Sequence, residues 1–142
     1  MNKQKNNASH FTAAIILIVD DEQLQRDILK IILSEEGYET HVAASAEEAL
    51  IVTQTLKPDV VLTDLRMCKM DGIELMENLR SQANGPEVII MSAFGTPGII
   101  EESLEKGAFS FMKKPLNIPQ VLFTVRRAFE MAAKVKYPDQ RF

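Results

Sequence analysis

Four short apolar runs, each ending on a polar residue, constrain this chain more than any other feature. Ile15-Ile16-Leu17-Ile18-Val19 runs into Asp20-Asp21, and Val60-Val61-Leu62-Thr63 runs into Asp64. Val88-Ile89-Ile90-Met91 runs into Ser92, and Phe109-Ser110-Phe111-Met112 into Lys113-Lys114-Pro115. Short runs rich in β-branched residues, separated by helical stretches, read as parallel strands buried on both faces. Such sheets bind ligands outside the carboxyl ends of their strands. The pattern therefore gathers three carboxylates, a hydroxyl and an ammonium at one mouth.

Between the strands the helical signals are regular. After Asp20-Asp21, Leu24, Ile28, Ile31 and Ile32 recur at helical spacing and are expected to face the core, with Gly37 closing the helix. Tyr38 to Ala43 reads as a further strand. Ser45 with Glu48 reads as a capping box opening a helix that ends near Leu56. Asp71-Gly72 turns into a helix with Ile73, Leu75, Met76 and Leu79 on its apolar side. Thr96-Pro97 opens another, which Gly107 ends. The last helix starts near Asn117 to Pro119 and presents Val121, Leu122, Val125, Phe129 and Ala132 on one face. Five strand–helix units of this length imply a doubly wound α/β sandwich with both sheet faces covered.

A chain of 142 residues with 46% apolar and 25% charged residues fits one soluble globular domain. Residues 1–12 are polar and aperiodic and read as a disordered tail, 13–134 as the domain, and 135–142 as a tail or the start of a linker. No run reaches membrane-spanning length, and Ala13 to Val19 is too short for a signal peptide. The single cysteine, Cys68, excludes an internal disulfide and fits a reducing cytoplasm. Residues 1–112 carry 9 Lys/Arg against 18 Asp/Glu, whereas 113–142 carry 7 against 2. The acidic body argues against direct nucleic-acid binding, and the basic end reads as a solvated helix face.

Three carboxylates crowded together repel one another and raise each other's pKa, and a hard divalent cation relieves that repulsion. Mg2+ suits one or two carboxylates, a backbone carbonyl and a phosphate oxygen. Of Asp20 and Asp21, one is expected to bind metal directly and the other through water. Taken alone, Asp20-Asp21 is more simply a helix cap and Asp64 a turn former. Together with each other and with a late Lys-Pro, they read as a site. A carboxylate at Asp64 can attack phosphorus when metal screens the incoming group. Lys114 offers a compact cation for a phosphoryl oxygen, with Lys113 facing solvent. Ser92 can donate a hydroxyl to the same group, and Pro115 permits a cis bond after Lys114.

In these residues the chain resembles the receiver domain of bacterial two-component response regulators, over Ile15 to Ala133. Asp20-Asp21 is similar to the family's acidic pair, Asp64 to its phospho-accepting aspartate and Ser92 to its Ser/Thr switch. Phe111 is similar to its switch aromatic, and Lys114-Pro115 to its lysine and cis-proline. The segment Asp64 to Gly72 resembles the family's Asp-x-x-Met-Pro-x-Met-Asp-Gly loop, with Cys68 in place of the usual proline. An ordinary, partly buried thiol is expected there.

The resemblance implies a flavodoxin-like sheet with strand order 2-1-3-4-5, and Mg2+ held by Asp20, Asp21, Asp64 and the backbone carbonyl of Arg66. It implies a phosphoryl group taken from a sensor histidine kinase or phosphotransfer protein, in a module that is not a turnover enzyme. Arg66 and Phe94 fall at the two family positions that influence how fast the acyl phosphate hydrolyses. Occupancy is expected to move Ser92, turn Phe111 inward and reshape the surface of the Thr96–Lys106 helix, the Phe109–Met112 strand and the final helix, with homodimerisation there as one form of output. The stretch Glu101 to Phe111 and the long last helix are similar to receivers of the nitrogen-regulation class.

The alternatives are a Mg2+-dependent phosphatase with an aspartyl-phosphate intermediate and a degenerate docking domain. A phosphatase of the haloacid dehalogenase type carries a second aspartate two residues after its nucleophile, where this chain has Arg66. The retained Asp64, Lys114 and acid pair count against the degenerate domain.

Overall fold

A computed structural model describes residues 13–136 and 138. The expected tail at 1–12, and residues 137 and 139–142 of the expected C-terminal tail, lie outside the described residues. Five strands, β1 (Ile15–Val19), β2 (Glu39–Ala43), β3 (Val60–Asp64), β4 (Glu87–Ser92) and β5 (Ser110–Lys113), alternate with five helices. The helices are α1 (Gln23–Glu35), α2 (Ala46–Val52), α3 (Gly72–Arg80), α4 (Pro97–Glu105) and α5 (Ile118–Lys136). All strand pairs are parallel, in the order β2-β1-β3-β4-β5, which is the expected doubly wound sheet.

Alternation along the central strands divides the core in two. Leu17, Val19, Val61, Val88 and Ile90 pack against α2 and α3 through Ala46, Ala49, Ile73, Leu75, Met76 and Leu79. Ile16, Ile18, Val60, Leu62, Ile89 and Met91 face the other side and meet α1 and α5 through Leu29, Leu33, Val121, Val125 and Ala128. Residues on both faces of β1, β3 and β4 are thus removed from water, which accounts for the unbroken apolar runs.

The helix ends follow their sequence signals. Asp71 and Glu74 form a reciprocal capping box on α3, and Thr96 caps α4 ahead of Pro97. Ser45 accepts from the Glu48 amide, but the Glu48 carboxylate reaches back to the amide of Ala44, so the box is not closed on Ser45 itself. Gly37, at φ +97°, closes α1 with paired bonds from its own amide to Ser34 and from Tyr38 to Leu33.

Several expectations are corrected. In α1 the buried residues are Leu29 and Leu33, while Leu24 and Ile31 are 72% and 60% exposed and Ile28 is also exposed. The apolar set read as core-facing therefore points largely to solvent. Helix α2 ends at Val52, not near Leu56, where the Thr53 hydroxyl bonds back to the Leu50 carbonyl. Strands β2 and β5 begin one residue later than expected. On α5, Thr124 and Ala128 join the buried face, and Leu122 and Phe129 are only half-buried. Among the described residues no helix is long and apolar enough to cross a membrane.

Candidate functional site

The parallel register brings the strand ends side by side. Asp64 is level with Met91, and Ser92 with Lys113, so the residues that follow the runs share one edge of the sheet. Asp20 continues from β1 and is fully buried, its amide bonded to the Ala43 carbonyl. One carboxylate oxygen of Asp20 accepts from the Glu22 amide at 2.9 Å and the other from Lys114 Nζ at 3.0 Å. Asp20 is therefore not the cap of α1, whose N-cap is Glu22 with no side-chain cap bond, and its contact with the Glu22 amide is a turn ahead of the helix.

Asp20, Asp21 and Asp64 each offer a carboxylate oxygen within 4.8 Å of the other two. Asp21 is exposed, which matches an acid pair whose members point differently. Lys114 spans the group, with its Nζ 3.5 Å from Asp64 Oδ1 as well as 3.0 Å from Asp20 Oδ2. Burial pushes the Asp64 carboxyl up to about 6 against the opposing pull of Lys114, and the charges of Asp20 and Asp21 add to the rise. Burial pulls Lys114 down, but its bond to Asp20 and the charges of Asp64 and Asp20 outweigh that and hold it above its ordinary range. An anionic cluster that strains to ionise suits a divalent cation, and the oxygen-only donor set fits Mg2+.

Ser92 is buried and its Oγ accepts from the Phe94 amide at 2.9 Å, which leaves the hydroxyl hydrogen free to donate. Lys113 is exposed, and the Lys114–Pro115 peptide is cis. Phe111 is half-buried and packs against the core on the α2–α3 side. Cys68 is exposed, contrary to the partly buried thiol expected, because the β3–α3 loop carries it away from the sheet.

Three features of this mouth were not legible in sequence. The guanidinium of Arg66 lies 5.2 Å from the centroid of the Phe94 ring, so the two loops flanking Asp64 touch through a cation–π contact. Gly72 donates its amide to Leu65, and a Cβ on Gly72 would stand 2.5 Å from the Asp64 carbonyl oxygen. The loop folds back onto the backbone of Asp64 itself, a closeness that the Asp71-Gly72 turn signal gave no hint of. The third is an apolar stripe on α1, Leu24, Ile28 and Ile31, which begins three residues beyond Asp21.

Comparison with known proteins agrees with this geometry. Residues 16–126 match the family described as response regulator receiver domain. The chain belongs to that family. It is 38% identical over 112 residues to sporulation initiation phosphotransferase F of Bacillus subtilis, covering 79% of this chain and 90% of that protein. Identity to the regulatory protein AtoC of Escherichia coli is 37% over 121 residues, covering 85% of this chain but 26% of AtoC. The chain thus spans about a quarter of the length of that relative and most of the other. A receiver domain protein from Methanospirillum hungatei superposes with a TM-score of 0.81 at 30% identity, covering 87% of this chain and 98% of its own. The receiver family is one of signalling modules in two-component systems, and the expected fold, strand order and family all hold.

Proposed function

We propose that Asp64 accepts a phosphoryl group from the phosphohistidine of a sensor kinase or phosphotransfer protein, and that Ser92, Lys114 and Phe111 convert its presence into a changed α4–β5–α5 surface. The observation that carries this reading is Lys114 bridging two carboxylates, one of them Asp64, in a cluster of three acids. Asp20, Asp21, Asp64 and the Arg66 carbonyl are the groups that would hold Mg2+, which when bound neutralises the cluster and the incoming phosphoryl oxygens.

In the transfer, an Asp64 carboxylate oxygen attacks phosphorus and the phosphorus–nitrogen bond of the donor breaks. The nitrogen keeps the electron pair, and an acyl phosphate remains on Asp64. Phosphorylation adds about -1.5 to -2 charges where Lys114 already stands within reach. Lys114 then exchanges its contact with Asp64 for a phosphoryl oxygen while Asp20 keeps it in place. Ser92 turns its free hydrogen toward the same group, and the space it leaves accommodates an inward turn of Phe111. A local charge thereby biases a two-state element, and a homodimer through α4–β5–α5 is one way the bias is read.

The α1 stripe supports a docked protein as donor. An apolar row at positions i, i+4 and i+7, beside the acidic mouth, matches a helical partner that lays its own apolar face along α1. A cytoplasmic exchange is part of this reading, in keeping with the single cysteine. A phosphatase finds less support, since Arg66 stands where a general acid is needed and its side chain lies on Phe94.

The test is exposure to acetyl phosphate or beryllofluoride with Mg2+. A metal-dependent adduct is expected that disappears in Asp64→Asn. Rapid multiple turnover of small phosphate esters would overturn the reading in favour of the phosphatase.

A further inference from the structure

Gly95 lies in the loop between β4 and α4, three residues after Ser92. Its φ is outside the left-handed region, so backbone freedom does not explain a glycine there. Its surroundings do. A Cβ built on Gly95 would stand 2.8 Å from Cε1 of Phe111, and 3.3 and 3.4 Å from the Cε and Cγ atoms of Lys113. Real Cβ atoms do not approach a neighbour as closely as 2.8 Å, so one of the two must move.

The nearest atoms decide which. All three belong to side chains of β5 and none to backbone, and Lys113 is exposed and free to swing away. Phe111 is the neighbour that matters. Its ring is half-buried, and the nearest of its atoms is at the far edge of the side chain, where a small rotation gives the largest displacement. The missing side chain at position 95 is the space that the edge of the Phe111 ring now uses.

We propose that Gly95 is a positioning residue for the switch, and that its lack of a side chain sets how much of the unphosphorylated protein holds Phe111 in the observed position. The proposal rests on the reading that Phe111 moves when Asp64 is phosphorylated. With the Ser92 hydroxyl accepting from Phe94 and not yet turned to a phosphoryl group, the ring position against Gly95 is the resting one. A methyl at 95 crowds the observed position, and in the proposal the position that Phe111 takes on phosphorylation lies clear of it. The equilibrium therefore moves toward the state that phosphorylation favours, before any phosphoryl group arrives.

The experiment compares the wild type with Gly95→Ala, Phe111→Leu and the double variant, with the phenylalanines labelled for NMR. The ring resonance of Phe111, assigned by its loss in Phe111→Leu, is expected to shift in Gly95→Ala with no phosphoryl donor present. The beryllofluoride concentration for half-maximal adduct at fixed Mg2+ is expected to fall by about fivefold in Gly95→Ala. In the Phe111→Leu background, Gly95→Ala is expected to change that concentration by less than about twofold.

An unmoved Phe111 resonance overturns the proposal. So does a weakened adduct, or an equal effect of Gly95→Ala with and without the Phe111 ring. Failure of both Gly95→Ala and Gly95→Ser to fold would do the same, since it would show that the ring does not yield. The ring resonance is read without any phosphoryl group. Absence of an adduct in the wild type would thus remove the functional reading, while the shift of the Phe111 resonance would still decide the role of Gly95.

Discussion

Asp64→Asn is expected to make the metal-free protein more stable, and by an amount that depends on pH. Folding lifts the Asp64 carboxyl from 3.8 to about 6. A carboxyl whose folded pKa is raised favours the folded state only while it is protonated. Its contribution is fully present below pH 3.8 and is lost as pH rises through about 6. At 1.36 kcal/mol per pH unit, a rise of about two units corresponds to an upper bound of about 3 kcal/mol above pH 7.

The pull of Lys114 at 3.5 Å is already counted in that rise, and the 13% of the Asp64 side chain still exposed lets water screen part of the penalty. A net gain of about 1–2 kcal/mol is therefore expected near pH 7.5. Urea unfolding reads this directly. With a slope of about 1.5 kcal/mol/M, the midpoint of Asp64→Asn should lie about 1 M above that of the wild type. The gap should close toward pH 4, where both side chains are neutral. Mg2+ at about 100 times its Kd should raise the wild type by about 2.7 kcal/mol and the variant by much less. A gap that stays constant from pH 4 to 7.5, or an asparagine variant less stable than the wild type at pH 7.5, would refute the reasoning.

Three further outcomes are expected from substitutions around the mouth, and a fourth from the α1 stripe. Lys114→Ala leaves the fully buried Asp20 carboxylate with only the Glu22 amide, and should cost about 2–3 kcal/mol in metal-free urea unfolding. Gly72→Ala drives a Cβ against the Asp64 carbonyl oxygen, a backbone atom with no freedom to yield, and should cost about 1–3 kcal/mol by thermal unfolding. Gly98→Ala, in open space on α4, should be neutral or stabilising by up to about 1 kcal/mol in the same assay. Replacing Leu24, Ile28 and Ile31 by Gln should change stability by no more than about 0.5 kcal/mol each. The same triple change should slow phosphotransfer from a phosphohistidine partner at least tenfold while leaving acetyl phosphate labelling unaltered.

The sheet was legible because β1, β3 and β4 are buried on both faces, which leaves the chain little place for polar residues before each strand ends, Thr63 and the leading Glu87 being the exceptions. The core of the candidate site was legible for the same reason, since Asp20, Asp64, Ser92 and Lys114 mark those ends. Helix α1 was misread because it carries two interleaved apolar sets. Leu24, Ile28 and Ile31 keep helical spacing as well as Leu29 and Leu33 do, and periodicity alone cannot say which set meets the sheet. Leu56 extended the apparent period of α2 past a Thr53 that caps it locally. The requirements at Gly72 and Gly95 were out of reach, because each glycine answers to an atom brought near by the fold and not to its neighbours in sequence.

The Lys114–Asp20 bond joins residues 94 positions apart, from either end of the sheet's chain order. The chemistry proposed for Asp64 consequently needs the last strand laid beside the fourth. A chain with β5 peeled away would have the acids without Lys114, the cation proposed to register a phosphoryl group. In the proposed mechanism a copy that has not completed its sheet cannot switch, so an incomplete fold would fall silent instead of sending a false message.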